Sequence, residues 1–304
     1  MKKFLIFATS YDETNGGAIV LHKLCSILND LGYDSYLHPY YETYEINKKN
    51  CVKYINKSLK LFFFPWRKKY KTNPEFNTPV LKKIIKPLSD EWVAIYPEIV
   101  FGNPLGAKNV VRWFLHQPGF HSGKIFYGKD ELYFKFNNAI NDFSFPCSVT
   151  SNQHLKIIHY PLEHYNSNSS DATRHGTAYS LRKTKNKPLQ HEVENSILID
   201  GKTHEEVSKI FKSVKIFISY DPYTAYSIFA VLCGCDSIVI PDEGVDENEW
   251  YPDPSDRYGI SYGFSRLDES RKTAQLVKDH VIEEEKRSVK NVQSCVDEIE
   301  AFFE

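Results

Sequence analysis

Short apolar runs alternate twice in this chain with polar turns and amphipathic stretches, and that alternation restricts the fold more than any other feature. Phe4 to Ala8 is a continuous apolar run with polar flanks, which suits a strand buried on both faces. A polar turn, Thr9 to Gly17, leads into a helix with Val20, Leu24, Ile27, Leu28 and Leu31 on one face and Gly32 as its stop. Ser35 to Tyr40 reads as a second strand. Strand, turn, helix and strand in this order open a doubly wound α/β domain. Glu91 to Ile95 and Asn109 to Leu115 extend it, with turn-rich phrases at Tyr96-Pro97-Glu98 and Gly102-Asn103-Pro104.

The alternation restarts after residue 150. Polar residues 164–176 read as a linker or loop. Thr177 to Leu181, Ser196 to Ile199, Val214 to Ser219 and Ser237 to Ile240 read as strands. Thr203 to Glu206 is a capping box opening a helix, and Thr224 to Gly234 is a second helix. From Asp268 the chain reads as helix to the end, with Val292, Cys295, Val296, Ile299 and Phe303 on one apolar face.

At roughly 100–200 residues per domain, 304 residues make two domains. The expectation is an α/β protein of two Rossmann-like domains with an interdomain cleft. Residues 1–155 form the first domain, 156–285 the second, and 286–304 a C-terminal helix that packs back on the first. The net charge of −1 does not point to nucleic acid. Six scattered cysteines read as reduced, buried thiols. Phe4 to Ala8 is too short for a signal-peptide core or a membrane span, so a cytoplasmic protein is expected.

In open parallel sheets, ligands sit outside the carboxyl ends of the strands. The first loop there carries Gly16 and Gly17, which let a ligand approach the backbone, or which simply make a tight turn. His116 ends the run Val110 to Leu115, either as a site group or as a structural histidine. Arg182, Lys183 and Lys185 follow the strand Thr177 to Leu181. Three cations at a strand end suit a diphosphate, though a solvated basic loop looks the same. Asp221 and Pro222 make an ordinary helix start, with Asp221 as N-cap. That does not explain Tyr223, Thr224 and Ser227 arriving together. Pro241 to Asp256 holds seven carboxylates and no basic residue, and reads first as a solvated loop. No Asp-x-Asp pair occurs, and nothing has zinc or iron ligand spacing, so no metal is expected.

Taken together, these pieces resemble the GT-B glycosyltransferases, above all the bacterial retaining enzymes that build surface polysaccharides. Gly16-Gly17-Ala18 looks like the family's glycine-rich loop, His116 like its histidine after the fourth strand, and Arg182 with Lys183 like its diphosphate grip. Ile199-Asp200-Gly201 looks like the glycine near the donor base. Ala230 to Gly234 with Ile238 to Pro241 looks like its helix end and following strand. The family has two glutamates eight residues apart across the donor helix; the matching positions here hold Asp221 and Phe229. The ribose contact then falls to Thr224 or Glu243.

The resemblance implies a metal-independent glycosyltransferase that uses a nucleotide-sugar as co-substrate, without a cofactor. His116 and Asp221 would be the catalytic residues. Gly16, Gly17, Arg182, Lys183, Lys185, Gly201, Tyr223, Thr224 and Glu243 would hold the donor. The acceptor would be a glycan or a lipid-linked glycan. A nucleotide-sugar epimerase or hydrolase, or a non-catalytic binding subunit of the same fold, is the alternative. Residues 51–90 carry ten Lys or Arg and two acids. Within them, 57–71 set large aromatics beside cations, as at an anionic membrane surface on the inner face of the membrane, or as a core segment with a solvated face.

Overall fold

The computed structural model describes residues 1–40, 70–137, 140–168, 173–182 and 187–304. The chain divides into two compact units. One is Met1–His159 with Lys286–Glu304, and the other is Tyr160–Glu285. Most of the aromatic and basic segment 57–71 lies outside the described residues, as do Lys183 and Lys185.

In the first unit, β1 (Lys3–Ala8) leads to α1 (Gly16–Asp30) and β2 (Ser35–Pro39). Then come β3 (Trp92–Pro97), β4 (Asn109–Phe114), β5 (Leu132–Lys135) and β6 (Val149–His154). They form one parallel sheet in the order β2-β1-β3-β4-β5-β6. Strands β1, β3 and β4 are buried almost throughout, as continuous apolar runs between two covered faces require. One face packs on Leu21, Leu24, Ile27 and Leu28 of α1 and on Val292, Cys295, Val296 and Ile299 near the C-terminus. The described connections from β3 to β6 contain no helix. Loops with large side chains cover that side instead: Leu88, Val100 and Leu105 pack on Ala94 and Tyr96, and Tyr127 and Ile140 on Phe114 and Tyr133. Aromatic volume stands in for missing helices.

In the second unit, β7 (Thr177–Ser180) and β8 (Ser196–Leu198) precede α2 (His204–Ser213), β9 (Ile216–Ser219) and α3 (Tyr226–Leu232). Then follow β10 (Asp236–Val239), α4 (Glu247–Trp250), β11 (Ile260–Tyr262), α5 (Leu267–Thr273) and α6 (Val277–Phe302). This sheet is also parallel, in the order β11-β10-β9-β7-β8. Helix α2 starts as its sequence predicts: Thr203 Oγ1 accepts from Glu206 N–H, and the Glu206 carboxylate accepts from Thr203 N–H.

Three expectations need correction. The run from Asp268 onward is not one helix, because a 3₁₀ turn at Ala274–Leu276 separates α5 from α6. The acidic stretch 241–256 is not simply a solvated loop. Asp246 and Glu249 form a capping box on α4, and Asp253 caps a 3₁₀ turn, so carboxylates satisfy N–H groups that short helical turns leave unbonded. The described residues of polar segment 164–176 are loop, as expected, but Tyr165 within it is buried and stacks on Phe229 at 4.2 Å. The buried-thiol expectation holds for Cys25, Cys233, Cys235 and Cys295 but not for Cys147, which is free and exposed; burial pushes the Cys233 thiol up to about 11.

Candidate functional site

Each sheet reverses its winding beside its first strand, between β1 and β3 and between β7 and β9. The crevice at the carboxyl ends of such a strand pair is where doubly wound sheets take ligands.

In the second unit that point is built with care. Ser180 Oγ donates to Asp200 Oδ1 at 2.6 Å, and Leu181 N–H donates to Asp200 Oδ2 at 3.0 Å. One carboxylate thus ties the exits of β7 and β8 and fixes where Arg182 leaves the sheet. The Arg182 guanidinium lies 6.0 Å from the centre of the Tyr226 ring, at the first residue of α3. Gly201 follows Asp200 at a φ of +79°, a left-handed turn that a side chain would strain, with open space around it.

The chain after β9 departs from expectation. Asp221 is not the N-cap of α3. That helix begins at Tyr226, with Ala225 at the N-cap and no side-chain cap. The Asp221 carboxylate accepts instead from Tyr223 N–H at 3.1 Å, and its carbonyl accepts from Ser219 Oγ at 2.6 Å. This local turn competes with helix and delays its start. Trp250 Nε1–H donates to the Pro222 carbonyl at 2.8 Å and pins the turn. Asp221 is buried, Tyr223 is exposed beside Tyr251, and Thr224 Oγ1 faces Tyr226 N–H at 3.4 Å. Phe229 is buried against Tyr165, so it belongs to the core. Glu243 is exposed in the loop after β10.

Three neighbours, Lys187, Gln190 and His191, carry no motif in the sequence. Lys187 Nζ donates to the Ile240 carbonyl at 2.8 Å and pairs with Asp242 at 2.7 Å. Tyr220 Oη accepts from Gln190 N–H at 2.7 Å and meets His191 Nδ1 at 2.8 Å. Burial lowers the His191 pKa, so the neutral ring is favoured. The segment from Lys187 to His191 thus joins the exits of β9 and β10. Only its basic start and Lys-Pro step are visible in the sequence.

At the edge of the first unit, Gly16 opens α1 and Asn15 caps it, accepting from Ala18 N–H at 3.2 Å. A Cβ on Gly16 would meet nothing within 4 Å, and one on Gly17 would touch Asn15 at 3.4 Å. Neither glycine has a positive φ. Packing among the described residues therefore does not demand Gly16.

His116 is exposed just beyond β4. Its Nδ1 accepts from Gln117 N–H at 2.7 Å, and its ring stacks on Phe120 at 4.0 Å. With Nδ1 accepting, the neutral ring carries its proton on Nε2. In that form Nε2–H can donate a hydrogen bond. Glu98, at the end of β3, is buried and accepts from Leu115 N–H at 3.0 Å, and burial raises its pKa. It fixes the backbone that presents His116. Beneath it, Arg112 is fully buried and donates to both Glu131 oxygens at 2.7 and 2.8 Å, to Val100 O at 2.6 Å and to Gly102 O at 2.9 Å.

A further group gathers in the second unit. Ligand atoms of Asp256, His280 and Glu284 all lie within 4.8 Å of one another. The one sequence signal for this group is the four-residue spacing of His280 and Glu284 on one helix. No helix among the described residues is long and apolar enough to cross a membrane. No protein-family model matches the chain, and no curated protein matches it.

Proposed function

We propose that this chain is a glycosyltransferase of the two-domain GT-B kind that takes a nucleoside-diphosphate sugar on its second unit. The observation that carries the reading is the placement of Arg182 and Tyr226 at the switch point of β7 and β9, 6.0 Å apart and buttressed by Asp200. Arg182 can grip phosphate oxygens in bidentate fashion, and Lys183 and Lys185 add charge beside it in sequence. Gly201 leaves room for a nucleoside close to the backbone, with Thr224 and Glu243 as ribose contacts. Asp221 holds the turn that presents Tyr223 and Thr224. Fixed positive groups stabilise the charge that develops on a departing diphosphate.

In this reading Gly16, Gly17 and His116 serve the sugar and acceptor side. The tautomer of His116 lets Nε2–H donate a hydrogen bond to a sugar hydroxyl. A glycan or lipid-linked glycan at the cytoplasmic face of a membrane is the acceptor class. Phe229, buried in the core, stands where the resembled family has an acidic donor contact and favours, as a second reading, a non-catalytic binding subunit. A thermal-shift screen against nucleoside diphosphates and their sugars tests binding. A ligand at 100 times its Kd adds about 2.7 kcal/mol of stability. Slow donor hydrolysis separates an enzyme from a scaffold, and a flat screen removes both readings.

A further inference from the structure

Asp256 comes from a 3₁₀ turn, Pro254–Arg257, in the connection between β10 and β11. His280 and Glu284 come from α6, four residues apart and so on one face of that helix. We propose that these three side chains form a binding site for one divalent transition-metal ion, which ties the β10–β11 connection to α6. All three residues belong to the second unit.

Geometry supports this in two ways. His280 Nε2 stands 3.5 Å from Asp256 Oδ1. A charge-assisted N–H···O bond would close to about 2.7–2.9 Å. Two ligands on a tetrahedral ion at about 2.0–2.2 Å are separated by roughly 3.4 Å, so the observed spacing is that of two ligands on a common centre. Glu284 needs to approach by at most about 1.4 Å from the 4.8 Å limit to reach the same edge length.

The surroundings are those of a built site. Side chains of His280 and Asp256 are 8% and 33% exposed, and Glu284 is buried. The Tyr160 hydroxyl donates to Glu284 Oε2 at 3.4 Å, and the Tyr258 ring meets His280 edge-on at 5.9 Å. Such outer groups orient ligands. Two carboxylates beside one imidazole make a donor set suited to a cation. One imidazole with two carboxylates suits Zn²⁺ or Mn²⁺ better than Ca²⁺ or Mg²⁺, and three protein ligands leave a position for water. The proposal is independent of the glycosyltransferase reading.

The test uses the full chain, stripped with a chelator and titrated by calorimetry with Zn²⁺ and separately with Mn²⁺. One equivalent of at least one ion should bind and raise the melting temperature. His280→Ala and Glu284→Gln should each weaken binding 10-fold or more, while Glu283→Gln, an exposed neighbour on the same helix, should bind as the unaltered chain does. A second measurement does not depend on how the variants fold: Co²⁺ added to the unaltered chain should give visible bands of a nitrogen- and oxygen-ligated ion, and Zn²⁺ should abolish them. Absence of stoichiometric binding by either ion overturns the proposal, as does unchanged affinity in folded His280→Ala and Glu284→Gln. So does a His280 ring that does not respond to metal in its proton spectrum.

Discussion

Glu131→Gln should be among the most destabilising single changes in the first unit. Arg112 and Glu131 have side chains 0% and 1% exposed, and their two hydrogen bonds share one plane of charge. Removing the carboxylate charge leaves a guanidinium in the interior between Tyr96 and Tyr127. Breaking a buried pair from one side costs about 3–5 kcal/mol. For a unit of this size each kcal/mol moves the melting temperature by about 2–4 °C, so the loss is roughly 6–20 °C. The double variant Arg112→Met/Glu131→Leu removes both charges and should recover much of that stability, because apolar replacement of a buried pair is often neutral. It should not recover order in the loop after β3. The carbonyls of Val100 and Gly102 lose their donors from Arg112, each hydrogen bond to a charged group being worth about 1.5–3 kcal/mol. Hydrogen–deuterium exchange separates the two effects. In the double variant the β4 amides should stay protected, while the Val100 and Gly102 amides exchange faster. A cost below about 1 kcal/mol for Glu131→Gln, or unchanged protection of those loop amides in the double variant, would refute the reasoning.

Three further outcomes follow from packing and charge. Gly259 sits at a φ of +71°, and a Cβ there would lie 2.5 Å from Val231 Cγ1 and 3.1 Å from Ala274 Cα, whereas one on Gly201 would meet nothing. Denaturant titration should therefore show Gly259→Ala losing about 2–5 kcal/mol and Gly201→Ala only the 1–2 kcal/mol of left-handed strain; equal losses would contradict the packing. Burial lowers the pKa of His22, which is fully buried with Nε2 on the Thr9 carbonyl at 2.9 Å. The unfolded chain then binds the extra proton below about pH 6.5, so stability is lost as pH falls from there through the lower folded value, at up to about 1.4 kcal/mol per pH unit. His22→Gln should flatten that part of the urea-midpoint profile, and an unchanged profile would remove His22 from the account. If His116 donates a hydrogen bond, His116→Ala should cut turnover of a nucleotide-sugar while leaving diphosphate affinity unchanged; wild-type turnover would make the residue structural.

What could be read from residues alone follows from where physics leaves a local signature. Strands β1, β4 and β9 show as apolar runs because both of their faces are covered. The start of α2 shows because its cap is made by two residues three apart. Strand β6 does not show: at Val149–His154 its residues are mostly exposed or half-buried and polar. Strands β5 and β11 have only four and three residues, too few for a period. The start of α3 was misplaced because Asp221-Pro222 is as good a signal for a local turn as for a helix. In the candidate site, Arg182 was visible as a cation after a strand. Asp200, Lys187 and His191 draw their significance from contacts with residues at or just beyond strand ends, 20 to 53 residues away. Glu98 holds Leu115 from 17 residues away, and nothing in its own sequence neighbourhood says so.

The central claim is that the carboxyl end of β7, with Arg182, binds a nucleoside diphosphate. Calorimetric titration of the full chain with a panel of nucleoside diphosphates, repeated on Arg182→Ala, tests it most directly. The account predicts saturable one-to-one binding of at least one diphosphate. It predicts a loss in the variant of about 1.5–3 kcal/mol, the worth of a hydrogen bond to a charged group, or roughly a 10- to 150-fold rise in Kd. The melting temperature without ligand should not change. Unchanged affinity in a folded Arg182→Ala protein, or no binding of any diphosphate by the unaltered chain, would contradict it.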